Sequence, residues 1–149
     1  MTTIAKIACR LADLPQLLPK SILWMASVEY KRGPCVVVSN DVTKRFVQFY
    51  GGFGRPIVFD VPVGGEGANT PFRSALEKAF GAPKNKLDDL EFFQQSFAGW
   101  HSSEGEIANA AARVATATLV DVLGIPKEAD VLIEEILAGM EIHSRHAVS

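Results

Sequence analysis

"KRFVQFYGG", residues 44–52, sets Gln48 between Val47 and Phe49, with Phe46 and Tyr50 two positions away on either side. So many aromatic and β-branched side chains in succession predict a strand, because they fit a pleated, half-buried surface. Strand alternation puts Phe46, Gln48 and Tyr50 on one face and Val47 and Phe49 on the other. Gln48 then reads as a residue of the less buried face, its amide satisfied by a cross-strand side chain or by water. Large aromatics on both faces imply that helices, or a second subunit, cover part of each side.

Working outward, "SILWMASVEY" (21–30) alternates Ile22, Trp24, Ala26, Val28 and Tyr30 and reads as a strand. "KRGP" reads as a turn, the apolar "CVVVS" (35–39) as a second strand and "NDVTK" as a break. Beyond "GGFGRP", "PIVFDVPV" (56–63) places Ile57, Phe59, Val61 and Val63 on one face and Val58, Asp60 and Pro62 on the other. Pro62 removes a ladder donor and Asp60 is charged, which assigns this strand to a sheet edge or to the end of its pairing. Consecutive strands with short connections predict an antiparallel meander instead of βαβ units.

Helical periodicity occupies the rest. "TTIAKIACRLADL" spaces Ile4, Ile7, Ala8 and Leu11 along one helical face, and "PQLLP" stops it. Thr70 reads as an N-cap with Pro71 at the first position of "PFRSALEKAF", which Gly81 closes. "LDDLEFFQQSF" carries a stripe of Leu87, Leu90, Phe93 and Phe97, with Phe92 beside it. In "SSEGEIANAAARVATATLVDVLGIP", Ser103 and Glu106 form a capping box, and the stripe is Ile107, Ala111, Val114, Thr118 and Val122. Gly124 and Pro126 end that helix, and its Ala-rich middle (108–117) permits close approach of another element. "KEADVLIEEILAGMEI" reads as a last amphipathic helix, and the tail 143–149 is expected to fray. The expected architecture is a single α+β domain over residues 1–149, an antiparallel meander packed with helices.

Bulk composition narrows the function. A chain of 149 residues is one ordinary domain, able to bury about 70% of the surface that its unfolded form exposes. A net charge of −2 with interspersed signs argues against nucleic acid, whose binding needs clustered Lys and Arg. Neither a signal segment nor an apolar run long enough to cross a bilayer stands out, so no membrane is implied and the cytoplasm is the expected location. Cys9, in a helical pattern, and Cys35, in a strand pattern, read as free thiols.

Candidate chemistry is sparse. "GGFG" (51–54) and "GGEG" (64–67) suggest a phosphate cradle, the second ahead of a helix start. Yet no Lys follows in the Walker position, the spacing is not G-x-G-x-x-G, and Glu66 would repel phosphate. His143 and His146, with Glu141 nearby, are three apart close to the C-terminus, and His101 stands alone, so no metal site is assigned. Asp60, Glu66, Asp88 and Asp89 are the carboxylates available for acid–base work, but the adjacent pair would point about 100° apart on a helix. No catalytic residue and no cofactor are implied.

"RFVQFYGG" also resembles the Tyr/Phe-Val-Gln-Phe strand of TY-Chap domains, members of the type III secretion chaperone and YbjN-like superfamily. The strand 56–63 follows, then "LEKAFGAP", similar to the family's Leu-…-Leu-Gly-Trp-…-Pro segment, although Phe80-Gly81 stands for Gly-Trp. "LEFFQQSFAGW" falls where that family carries an aromatic stretch, and "AARVATATLVDVLGIPKEADV" is similar to its closing helix, so the match spans roughly residues 35–133. The acidic signature after the strand is not evident in "FDVPVGGEGAN". The resemblance implies a twisted antiparallel sheet with helices packed on it, often dimeric, that binds another protein and performs no chemistry. The partner would lie along an apolar surface, with Trp24, Phe46, Gln48, Tyr50, Phe59 and Phe92 as the contact residues. An immunity-type protein that blocks a toxin is a variant of this reading. The alternative is a small-molecule sensor or enzyme using a cleft near the glycine-rich loop 64–70.

Overall fold

The computed structural model describes residues 1–97 and 104–139. They form β1 (Thr2–Arg10), α1 (Leu14–Ser27), β2 (Pro34–Ser39), β3 (Phe46–Gly52), β4 (Arg55–Val63), α2 (Arg73–Phe80), β5 (Asn85–Leu87), β6 (Leu90–Phe97), α3 (Glu104–Ala117) and β7 (Asp130–Leu137). All seven strands belong to one antiparallel sheet ordered β1–β7–β2–β3–β4–β6–β5. The fold is α+β, and β2–β3–β4 is the expected meander.

Where the sequence suggested a first strand at 21–30, there is a helix. Leu14, Leu18, Ile22 and Met25 are all fully buried and recur at helical spacing along α1. Pro15 sits in the first turn, where a missing N–H is harmless, but Pro19 lies inside the helix. An interior proline costs about 3 kcal/mol. Burying four large aliphatic side chains contributes roughly 1.5–3 kcal/mol each, so the stripe outweighs the breaker.

Three segments expected to be helical are strands. β1 exposes alternate residues, with Ala5, Ile7 and Cys9 facing inward, because it pairs along its length with β7. β7 itself lies between β1 and β2, where Val131 and Ile133 are buried on one face and Ile136 on the other. The "LDDLEFFQQSF" segment is a hairpin. Leu87 pairs with Leu90 across the two-residue turn Asp88-Asp89, and Asp88 adopts φ 55°, a left-handed conformation that Asp tolerates.

β4 is not an edge strand: it lies between β3 and β6. Pro62 is accommodated because β3 no longer pairs with it there. The side chain of Asn69, almost fully buried, fills the gap. Its Oδ1 accepts from Phe46 N–H (3.1 Å), and its Nδ2 donates to the carbonyls of Phe46 (2.8 Å) and Pro62 (3.2 Å). An amide side chain thus completes the ladder where a proline cannot.

α2 follows a short 3₁₀ turn, Thr70–Phe72, so Thr70 is not its N-cap, and Gly81 at φ 82° closes it. The Ala-rich stretch of α3 is the close-packing surface that its composition suggests. Ala108, Ala111, Ala112 and Ala115 are fully buried, and α3 packs against α1. A wide turn, Thr118–Val122, in which Leu123 N–H bonds Thr118 O, adds a residue to the helical repeat and swings Leu119 and Leu123 into the core. Of the expected stripe only Ala111 and Thr118 are buried; Ile107, Val114 and Val122 are partly exposed. Gly124 (φ 68°) stops the helix, as its position predicts. The Ser103 half of the capping box, His101 and the tail 143–149 lie outside the described residues.

All three helices bury their apolar residues in one core on one face of the sheet, with Val36, Val38, Val47, Phe49, Phe59, Val61, Phe93 and Ile133. Buried Cys35, Phe92 and Ile136 lie outside that core, on the opposite face.

Candidate functional site

The register aligns three rows of side chains across that second face. The middle row runs Glu134, Val37, Gln48, Asp60 and Gln94, from β7 to β6. One flanking row is Ile136, Cys35, Tyr50, Val58 and Ser96. The other contains Leu132, Ser39 and Phe46 and, on the far strands, Pro62 and Phe92. A polar stripe therefore crosses the strands between two mostly apolar ones.

At its centre the carboxylate of Asp60 is fully buried. Gln48 Nε2 donates to Oδ2 (2.6 Å), and Gln94 Nε2 donates to Oδ1 (3.1 Å) and to Tyr50 Oη (2.8 Å). Asn85 Nδ2 in turn donates to Gln94 Oε1 (3.2 Å). Gln48 is thus satisfied by a cross-strand side chain, the arrangement expected for an amide in so aromatic a strand. Among the described residues no Lys, Arg or His forms an ion pair with Asp60.

Burial raises the Asp60 pKa to about 6, against the two amide hydrogen bonds, which favour the ionised form. Burial also pushes the Cys35 thiol up to about 12, with the charges of Asp60 and then Glu134 adding to it. For Tyr50 burial again dominates and Asp60 reinforces it, so the phenol is held well above its usual range despite the Gln94 bond. Cys35 and Tyr50 consequently stay protonated at ordinary pH, the state that does not suit a nucleophile.

The six expected contact residues divide between the two faces. Phe46, Gln48, Tyr50 and Phe92 share the second face; the first three are partly exposed and Phe92 is buried. Trp24 packs against the helix-side core. Phe59 is fully buried there, with ring centroids 5.1 Å from Phe49 and 5.7 Å from Phe80, so no partner can reach it. Phe92, expected on a helix, lies on strand β6. Asp60 and Gln94 complete the cluster, and Gln94 was concealed by the helical reading of its strand.

Loop 64–70 is tied internally. Thr70 Oγ1 accepts from Gly64 N–H (2.9 Å) and donates to Gly64 O (3.0 Å), while Gly67 N–H bonds Gly64 O (3.0 Å). Gly64 is required by close approach, since a Cβ there would lie 2.5 Å from Asp89 O. Among the described residues, no three His, Cys, Asp or Glu side chains converge as metal ligands, and no helix is long and apolar enough to cross a membrane. Set against models of known protein families, curated protein sequences and solved structures, the chain matches none of them.

Proposed function

We propose that this chain is a cytoplasmic, non-enzymatic protein-binding module, chaperone-like or immunity-like, that holds its partner on the second face of the sheet. The observation that carries this reading is the pattern on that face. A polar stripe of Gln48, Asp60 and Gln94 lies between flanks that include Val58, Tyr50, Phe46 and Phe92, on the side of the sheet away from the helical core. Apolar flanks supply burial, and the polar centre supplies register and selectivity. The resemblance over residues 35–133 supports it too, with strand 46–52, strand 55–63 and helix 73–80 following in the order of the similar segments.

Tyr50→Asp is a poor probe of this surface, because it would set a second carboxylate beside Asp60 in a buried hydrogen-bond network. Phe46→Gln is better, since Phe46 is partly exposed at the start of its strand. The tagged protein should capture one stoichiometric partner from its host, and Phe46→Gln should lose it while melting cooperatively. Equal capture by the variant would move the binding surface elsewhere. A self-association that Phe46→Gln abolishes would make the occupant a second copy of the chain.

A further inference from the structure

We infer that copies of this chain associate head to tail, the exposed Phe53 tip of one seated in an acidic cleft at the opposite end of the next. The contact uses neither the polar stripe nor its flanks, so it stands apart from the partner-binding reading.

The tip holds an aromatic ring out to solvent. Phe53 and Gly54 form the two-residue turn between β3 and β4, a place where the fold asks only for small or polar residues. Phe53 is nevertheless 73% exposed there. Its backbone is held from beneath: Phe53 N–H donates to Val28 O (2.8 Å), and a Cβ on Gly52 would come within 2.8 Å of Tyr30 Cα. Arg55 stacks its guanidinium on the Tyr30 ring, 4.5 Å from the centroid. A ring on so fixed a support contributes little to the core and loses little freedom when it docks. Lys31, Arg32 and Arg55 beside it are exposed, and among the described residues only Lys31 has an acid partner, Glu29 at 3.6 Å.

The complement lies at the other end of the sheet. The turn 40–44 between β2 and β3 and the loop 125–130 ahead of β7 enclose a cleft of about 540 Å³, a volume that admits an aromatic side chain. Asn40 fixes its wall, Nδ2 donating to Asp130 O (2.8 Å) and Oδ1 accepting from Thr43 N–H (2.9 Å). Ile125, Pro126 and Ala129 supply apolar surface, and Val42, 90% exposed, lines it from the turn. Of its carboxylates, Asp41 is paired with Lys44 (2.7 Å), whereas Glu128 and Asp130 form no ion pair among the described residues. Lys127 lines a separate hollow against α1 and α3. Each end thus combines apolar surface with two uncompensated charges, positive at the tip and negative at the cleft, which gives the contact both attraction and register.

β3 runs from the cleft end at Phe46 to the tip end at Gly52, about 20 Å along the strand. Different patches at opposite ends make a heterologous contact, in which each addition leaves one tip and one cleft free.

Sedimentation equilibrium of the full chain at rising concentration should give a mass that climbs past the dimer. Phe53→Ser and Val42→Lys, both at exposed loop positions, should keep the wild-type melting temperature and each weaken association at least about tenfold. Glu128→Lys replaces Val42→Lys should that variant melt early. Mixed in equal amounts, the tip and cleft variants should form a dimer and stop, because one keeps a working cleft and the other a working tip. A single-chain mass at every concentration, a mass that levels at the dimer, association that either variant leaves unchanged, or a mixture that stays monomeric overturns the inference. A monomer that binds phosphatidylserine vesicles through Phe53 also overturns it, and makes the tip a lipid-docking element.

Discussion

Asp60 shows how one residue can be satisfied in hydrogen bonds and still destabilise its fold. Both its oxygens are bonded, yet burial, with no ion-pairing cation among the described residues, favours the neutral acid. Its folded pKa of about 6 lies above the unfolded 3.8, so the native state binds the proton more tightly. The contribution to stability is therefore most favourable below about pH 4 and declines as pH rises toward the folded pKa. Above about pH 6 it settles at a penalty of about 3 kcal/mol. Asp60→Asn removes that titration. Denaturant unfolding of both proteins should show the variant gaining about 3 kcal/mol on the wild type between about pH 4 and pH 7. A difference that stays constant with pH would mean that the carboxylate is hydrated or paired with a cation.

At the scale of elements, the segments that depart from expectation do so for different reasons. In α1 the same residues support two patterns: Ile22, Trp24 and Ala26 alternate, while Leu18, Ile22 and Met25 keep helical spacing. Pro15 and Pro19 tipped the reading towards a break, although only Pro19 lacks the N–H that would have bonded Pro15 O. Pro19→Ala should restore that bond and raise stability by about 2 kcal/mol, roughly 4–8 °C in melting temperature for a chain of this size. A lower melting temperature would show that the proline ring is itself needed for packing. β6 and β7 misled differently, since "LEFFQQSF" and "DVLIEEIL" carry apolar residues on both faces and so mimic a helical stripe. β3 and β4 were legible because β-branched and aromatic residues crowd short runs bounded by glycine.

For the whole molecule, local pattern identified the central meander, while the closing strands depend on contacts that no local window contains. β7 joins residues 130–137 to β1 on one side and β2 on the other, pairings from 93 (Ser39 with Leu132) to 135 (Thr2 with Leu137) residues apart in sequence. The candidate site was legible only in part for the same reason. Phe46, Gln48 and Tyr50 are adjacent in one strand, but Gln94 meets Asp60 only through the β4–β6 register. This topology predicts an asymmetry between the two termini. β1 is an edge strand whose residues are at least partly exposed, so a chain beginning at Leu11 loses one pairing and keeps the core. A chain ending at Ala129 loses β7 from within the sheet, strips β1 of the strand it pairs with and uncovers Val36 and Val38. The first truncation should still melt cooperatively at a lower temperature. The second should lose near-UV circular dichroism and bind a hydrophobic dye, the signs of a collapsed chain without fixed packing. Cooperative melting of the chain that ends at Ala129 would contradict the placement of β7 between β1 and β2.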